Sequence, residues 1–368
     1  MKSTETKLPS APQSTAGPRR AFLQMLGVGA AGLAVSGCVA VNTGSTASAV
    51  PAPLPPPGPK QLRGLFPIGQ TPFTADDKLD LESLAAEVNF CNRGGVHGFI
   101  WPQIASGWTS LTEPERLSGA EAILAAGKGG RTSLVIGVQA KDIAAVTRYA
   151  KHAAEHGADA IVSLPPAGVT DEKVLLDYYQ QVGRMTDLPL FVQSQGSMSI
   201  DLIIQIYNTI PTVRQVKDEA GNPLERVAEI RRRTNDQLKV FSGQGVRTMI
   251  NEMELGFSGH CPTTGLADVY AAAFDLWHAG RRQEAFDMFG RICAFTTLGN
   301  SGQNSVLVAR GVFKPTVHSR PTPGMGGGGG GGGAGGGGGG GGGRGGPAMD
   351  DQAVRAALDN YLKPYLRA

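Results

Sequence analysis

The chain has 368 residues, 41% hydrophobic and 18% charged, long enough to bury one large α/β core with appendages. Its formal net charge of +3 comes from Lys and Arg scattered along the sequence, which excludes the concentrated basic face of a nucleic-acid binder. The four cysteines, at 38, 91, 261 and 293, show neither CxxC pairing nor His partners at metal-ligand spacing, which argues against a zinc site. With Cys38 assigned below, three remain, an odd number that opposes a disulfide framework and reads as small buried hydrophobes.

Residues 1–38 read as an export signal rather than fold material. Arg19-Arg20-Ala21-Phe22-Leu23 is a twin-arginine pair followed by an Ala- and Gly-rich apolar run over 25–35 that is too short to span a membrane. Val35-Ser36-Gly37-Cys38 then looks like a lipobox, in which cleavage frees Cys38 for lipid attachment; the alternative is a cleaved, unlipidated periplasmic protein. Residues 39–63, ending Pro-rich, read as a tether.

From 64 to 315, short β-rich runs alternate with amphipathic ones, the pattern of βα units around a parallel sheet. Strands are expected at 65–70, 98–102, 134–139, 160–164, 190–193, 213–217, 240–243 and 260–263. Helices fall between them at 81–92, 113–126, 144–156, 172–185, 201–209, 224–233 and 247–255, with two more at 266–278 and 282–297. Eight such units predict a (β/α)8 TIM barrel with extra C-terminal helices, whose chemistry sits at the C-terminal ends of the strands. A doubly wound sheet would want a Gly-rich phosphate turn after strand one, where Gln70-Thr71-Pro72-Phe73 stands instead. Residues 316–348 include a nearly pure glycine tract too costly in backbone entropy to order, and 349–368 carry an amphipathic helix with Val354, Leu358, Tyr361 and Leu362 on one stripe.

The sixth strand ends in Lys217. An amine in a barrel mouth is partly desolvated, which lowers its pKa and frees a nucleophile for a 2-oxo acid; the resulting protonated imine is an electron sink that lets an adjacent C–C bond form or break. On composition alone, a strand-end lysine is more often a surface charge.

Gln215-Val216-Lys217-Asp218-Glu219-Ala220-Gly221-Asn222 resembles the Schiff-base segment of the dihydrodipicolinate synthase/N-acetylneuraminate lyase family. The likeness extends over most of the domain: 64–73 with its Thr71-Pro72-Phe73, 95–100, 111–116, Gly157-Ala158-Asp159-Ala160, Asp187-Leu188-Pro189 and Ser242-Gly243 keep the family's order and spacing. The resemblance implies a class I aldolase-type lyase with Lys217 as the imine-forming residue, no cofactor, a small 2-oxo acid substrate and a homo-oligomer. It also exposes departures. Where the family has G-T-T-G-E after strand two, this chain has Gln103-Ile104-Ala105-Ser106-Gly107-Trp108, so Ser106 and Gly107 are the remaining candidates to hold the substrate carboxylate. Where the family's P-Y-Y supplies a proton-relaying tyrosine, Pro166-Ala167-Gly168 stands, and Tyr178 and Tyr179 on the next helix read as packing. Thr71, Gln193 and His260 complete the candidate substrate contacts, although a capping or turn role for Thr71 is equally natural and a satisfied structural role is the better default for His260. Lysine biosynthesis is an intracellular pathway and fits poorly; a divergent aldolase or dehydratase on an exogenous acid fits an envelope location. The rival is a catalytically impaired barrel that binds a small acid.

Overall fold

Eight parallel strands follow the apolar runs: β1 (Gly64–Leu65), β2 (Gly98–Trp101), β3 (Ser133–Gly137), β4 (Ala160–Ser163), β5 (Leu190–Ser194), β6 (Val213–Asp218), β7 (Lys239–Ser242) and β8 (Gly259–His260). The structure is a computed structural model that describes residues 54–243, 246–298, 303–321 and 350–368. The export signal with Cys38, residues 39–53 of the tether and residues 322–348 of the glycine-rich segment lie outside the described residues. Neighbouring strands pair in the order β1-β8-β7-β6-β5-β4-β3-β2, and Ile68 closes the ring by bridging both Ile100 and Thr263. The molecule is thus a (β/α)8 barrel with extra C-terminal helices.

The first and last strands are shorter than the runs at 65–70 and 260–263 suggest. Pro67 and Pro262 supply no N–H, so continuous ladder pairing stops after two residues and resumes only as isolated bridges.

The helices begin where polar caps stand: α1 (Leu81–Gly94) at Asp80, α2 (Glu113–Ala126) at Thr112, α3 (Ile143–Glu155) at Asp142, α4 (Glu172–Gly183) at Asp171, α5 (Ile200–Thr209) at Ser199 and α6 (Pro223–Arg233) at Asn222, each side chain accepting from a first-turn N–H. α7 (Met249–Leu255), α8 (Ala267–His278) and α9 (Arg282–Leu298) follow. A seven-residue α10 (Gln303–Ala309), which the periodicity does not reveal, is tied down by Arg310 paired with the buried Asp268 at 2.6 Å. α11 (Asp351–Tyr361) buries Val354, Ala357 and Leu358 against α9 and α10.

Two cores result from the period-2 alternation of the strands. Outward residues such as Leu134, Ile136, Leu190 and Val192 pack under the helices, while Phe66, Ile68, Ile100, Val135, Ala160, Val162, Phe191, Phe241 and Cys261 fill the barrel. Phe66 and Phe191 each meet Phe241 edge-on at 5.2 Å, so the interior is a packed plug and chemistry is confined to its upper rim.

Two expected boundaries move. Residues 54–63 are docked under the N-terminal ends of the strands: Leu54 lies against Gly95, Lys60 pairs with Asp159 at 2.7 Å and Arg63 covers Phe274. Residues 316–321 return to the barrel, where Arg320 stacks on Phe73 at 3.9 Å and pairs with Glu115 at 2.8 Å. Both stretches carry a cation that finds a ring or a carboxylate, which composition alone does not show.

Candidate active site

The side chain of Lys217 points into the barrel. It shares inward parity with Gln215 on β6, sits in register with Gln193 on β5 and Phe241 on β7, and is 6% exposed. Two residues on, just past the strand end, Glu219 brings a carboxylate oxygen to 3.0 Å from the Lys217 Nζ. Its other oxygen accepts from the Gln193 amide. Gly243, after β7, makes room for this arrangement, because a Cβ there would lie 1.9 Å from Glu219 Oε1. With a fifth of its side chain exposed against 7% for Lys217, the carboxylate is the more accessible end of the pair.

Charge around the amine is set by competing effects. Burial pulls the Lys217 pKa down, but the Glu219 charge and the neighbouring Cys261 sulfur, with the Glu219 hydrogen bond, push harder, and the net is a pKa above the ordinary lysine value. The expectation of a lowered pKa is therefore reversed: the partner Glu219 outweighs desolvation, and the resting amine is an ammonium. Cys261, the inward residue just past β8, is pushed up to about 12 by burial, Lys217 opposing, so it stays a thiol. Two acceptors inside the barrel, Gln193 Oε1 and Gln215 Oε1, are buried without a hydrogen-bond partner among the described residues. Polar atoms in that condition mark a place for water or for a ligand with donor groups. No group of metal-ligating side chains forms around Lys217 among the described residues.

The loop after β2 is built from hydrogen bonds that consume its polar atoms. Ile104–Ser106 forms a 3-10 turn in which the Ser106 hydroxyl donates to the Gly69 carbonyl at 2.6 Å and accepts from the Gln103 N–H at 3.0 Å. Gly107 adopts a left-handed conformation at φ 67°, and its N–H is spent on the Ile104 carbonyl. The Thr71 hydroxyl donates to the Ser106 carbonyl at 2.6 Å and accepts from the Trp101 indole at 3.0 Å. Of these three expected carboxylate contacts, Ser106 and Thr71 instead clamp the β1 and β2 loops together and Gly107 closes the turn within the β2 loop, so each donor already has an internal acceptor.

His260 is likewise corrected. It is an outward residue of β8, fully buried between sheet and helices, with Nδ1 donating to Glu252 of α7 at 2.6 Å and its ring beside Phe274 of α8. Strand parity sends the next residue, Cys261, inward in its place. Burial would raise the Glu252 carboxyl, but the bond and charge of His260 and the hydroxyls of Thr248 and Ser242 hold it below the usual carboxylate value. Tyr179 donates to the carbonyl of Gln193 at 3.0 Å and the hydroxyls of Tyr178 and Ser163 share a hydrogen bond at 2.6 Å, so both tyrosines pack α4 on the sheet.

Of the expected contacts, Gln193 is the one that the structure brings to the Lys217–Glu219 pair. Sequence reading passed over Glu219, Gln215, Gly243 and Cys261. Counting by twos from Lys217 reaches Gln215 and Glu219, whereas Gly243 and Cys261 belong to other strands and needed the sheet register.

Comparison with known proteins agrees with this fold. An uncharacterized DapA-like lyase of Thermococcus onnurineus is 26% identical over 239 residues, 61% of this chain and 79% of that protein. Against several 4-hydroxy-tetrahydrodipicolinate synthases at 25–27% identity, the match spans 65% of their length. Among solved structures, the dihydrodipicolinate synthase of Rhodopseudomonas palustris superposes with a TM-score of 0.65 at 21% identity, covering 84% of this chain and all of that one. A dihydrodipicolinic acid synthase-family prophage protein of E. coli K12, solved with pyruvate, gives 0.63 at 17%, covering 82% and 98%. These structural likenesses establish the fold. The Dihydrodipicolinate synthetase family model matches residues 61–298, from the docked segment below β1 through all eight strands to the end of α9, and the chain belongs to that family.

Proposed function

We propose that this protein is an imine-forming carbon–carbon lyase or synthase, a divergent aldolase or dehydratase acting on pyruvate or a related 2-oxo acid through Lys217. The observation that carries the reading is the buried Lys217 amine at the rim of the barrel with the Glu219 carboxylate 3.0 Å away. Glu219 is the group that can take the amine's proton when a 2-oxo acid enters, leaving a lone pair to attack the C2 carbonyl. Returning that proton to the carbinolamine oxygen and passing it a second one from the attacking nitrogen, again by way of Glu219, releases water and leaves the protonated imine, which then accepts the electron pair of the neighbouring bond. Pro166-Ala167-Gly168 offers no side chain for proton transfer, so we assign that task to Glu219. The lyase and synthase names of the relatives, and the pyruvate held by the E. coli neighbour, support the reaction class. Self-association, and export by way of Arg19-Arg20 with anchoring through Cys38, are part of the same proposal; fractionation and mass analysis of the mature N-terminus test the latter.

Incubation with pyruvate and other 2-oxo acids in the presence of borohydride should add mass to the Lys217 peptide. Adduct formation should rise with pH as the ammonium of Lys217 is lost. Glu219→Gln removes the charge that raises the Lys217 pKa, so its profile should move to lower pH while the maximal rate falls. A competing reading, a barrel that binds a small acid without turning it over, draws on the locked Ser106 hydroxyl and the protonated resting amine. A folded protein that yields no adduct across the panel favours that reading.

A further inference from the structure

We propose a binding site for a borderline divalent cation of the Zn2+ class on the outer helical layer, formed by Glu121 of α2 with His152 of α3 and His156, the residue that caps the C-terminus of α3. The three ligand atoms lie within 4.8 Å of one another. His152 and His156 stand one helical turn apart, so their rings stack at 4.1 Å and present Nε2 to the same carboxylate oxygen of Glu121, at 2.9 Å and 3.9 Å respectively. A zinc ion about 2.1 Å from each of its ligands sets them roughly 3.4 Å apart in tetrahedral geometry, and these two separations bracket that spacing.

Proton positions favour a cation over an ordinary hydrogen-bonded cluster. A carbonyl oxygen only accepts, so the 2.9 Å contact between His156 Nδ1 and the His152 carbonyl fixes the proton of neutral His156 on Nδ1. Its Nε2 lone pair then faces a carboxylate oxygen at 3.9 Å, too far for a hydrogen bond. Backbone anchoring of one imidazole nitrogen is the outer contact that orients metal-binding histidines. Glu121 makes no hydrogen bond or ion pair besides those to the two histidines among the described residues. Metal binding needs only a tautomer change at His152, moving its proton from Nε2 to Nδ1. Two imidazoles and one carboxylate favour Zn2+, Ni2+ or Cu2+ over Mg2+ or Ca2+, and three protein ligands leave a position for water.

Untagged full-length protein titrated with Zn2+ by calorimetry, with excess Mg2+ present, should bind one saturable equivalent per chain. His156 and Glu121 are largely solvent-facing, with side chains 42% and 51% exposed, so H156A and E121Q should keep the wild-type melting temperature. Each should weaken Zn2+ binding by at least the roughly 10- to 100-fold that loss of an outer contact costs. Absence of a saturable equivalent, or an unchanged affinity in either variant, overturns the site.

Discussion

Consecutive residues of β6 belong to different chemical settings. Lys217 points into the barrel, where its pair with Glu219 is joined by glutamine carbonyls without a donor among the described residues. Asp218 points outward and is saturated: it accepts from the Ser194 hydroxyl and from Arg226 at 2.9 Å, and is fully buried. The Ser194 hydroxyl in turn accepts from the N–H groups of Glu219 and Ala220, so the outer network holds the turn that aims Glu219 inward. The other outer carboxylates divide the same way. Glu252 has His260 and stays below the ordinary carboxylate pKa, whereas Glu87, with the Gln70 N–H and Thr264 but no cation among the described residues, is pushed up to about 8 by burial. Closed networks support the fold, and the open one on the inner rim is where chemistry has room.

The largest effect should come from breaking the outer side. Asp218→Ala leaves the part-buried Arg226 and the buried Ser194 hydroxyl without their acceptor and should cost about 3–5 kcal/mol in chemical denaturation, with loss of the Lys217 adduct as Glu219 drifts. A variant that loses neither stability nor adduct would dissolve the distinction between the two faces. A pH-dependent effect of similar size follows from Glu87. Its folded pKa lies above its unfolded value, so its contribution is complete below the ordinary glutamate pKa and is lost as pH rises toward about 8. Over that window stability should fall by about 1.4 kcal/mol per pH unit, and Glu87→Gln should flatten the slope. Least should happen to stability on the inner side. Replacing both members of a buried ion pair by neutral groups of similar size is often neutral, so the double variant Lys217→Met/Glu219→Gln should melt within a few degrees of the wild type while forming no adduct at all. A large drop in melting temperature would make Lys217 a structural residue instead.

The barrel was legible because alternation and caps are local. Asp80, Thr112, Asp142, Asp171, Ser199 and Asn222 each stand where a helix begins, and strand ends missed by a few residues trace to Pro67 and Pro262. The candidate site was legible only along β6 and β5. Ser106 and Thr71 were read as donors facing a ligand, yet their acceptors, the carbonyls of Gly69 and Ser106, belong to a loop pairing that the one-dimensional chain does not display. His260 was misplaced by one residue of parity, the least error a period of two allows and enough to send it to the opposite face.

Sequence alone determined the alternation that makes a (β/α)8 barrel and put a lysine at the end of its sixth strand, because secondary structure and strand direction follow from residue pattern. Tertiary structure decided the company that lysine keeps. Glu219, Gln193, Gly243 and Cys261 come from three strand ends besides its own neighbourhood, and only sheet register and burial determine which of them face it and which way its proton equilibrium leans.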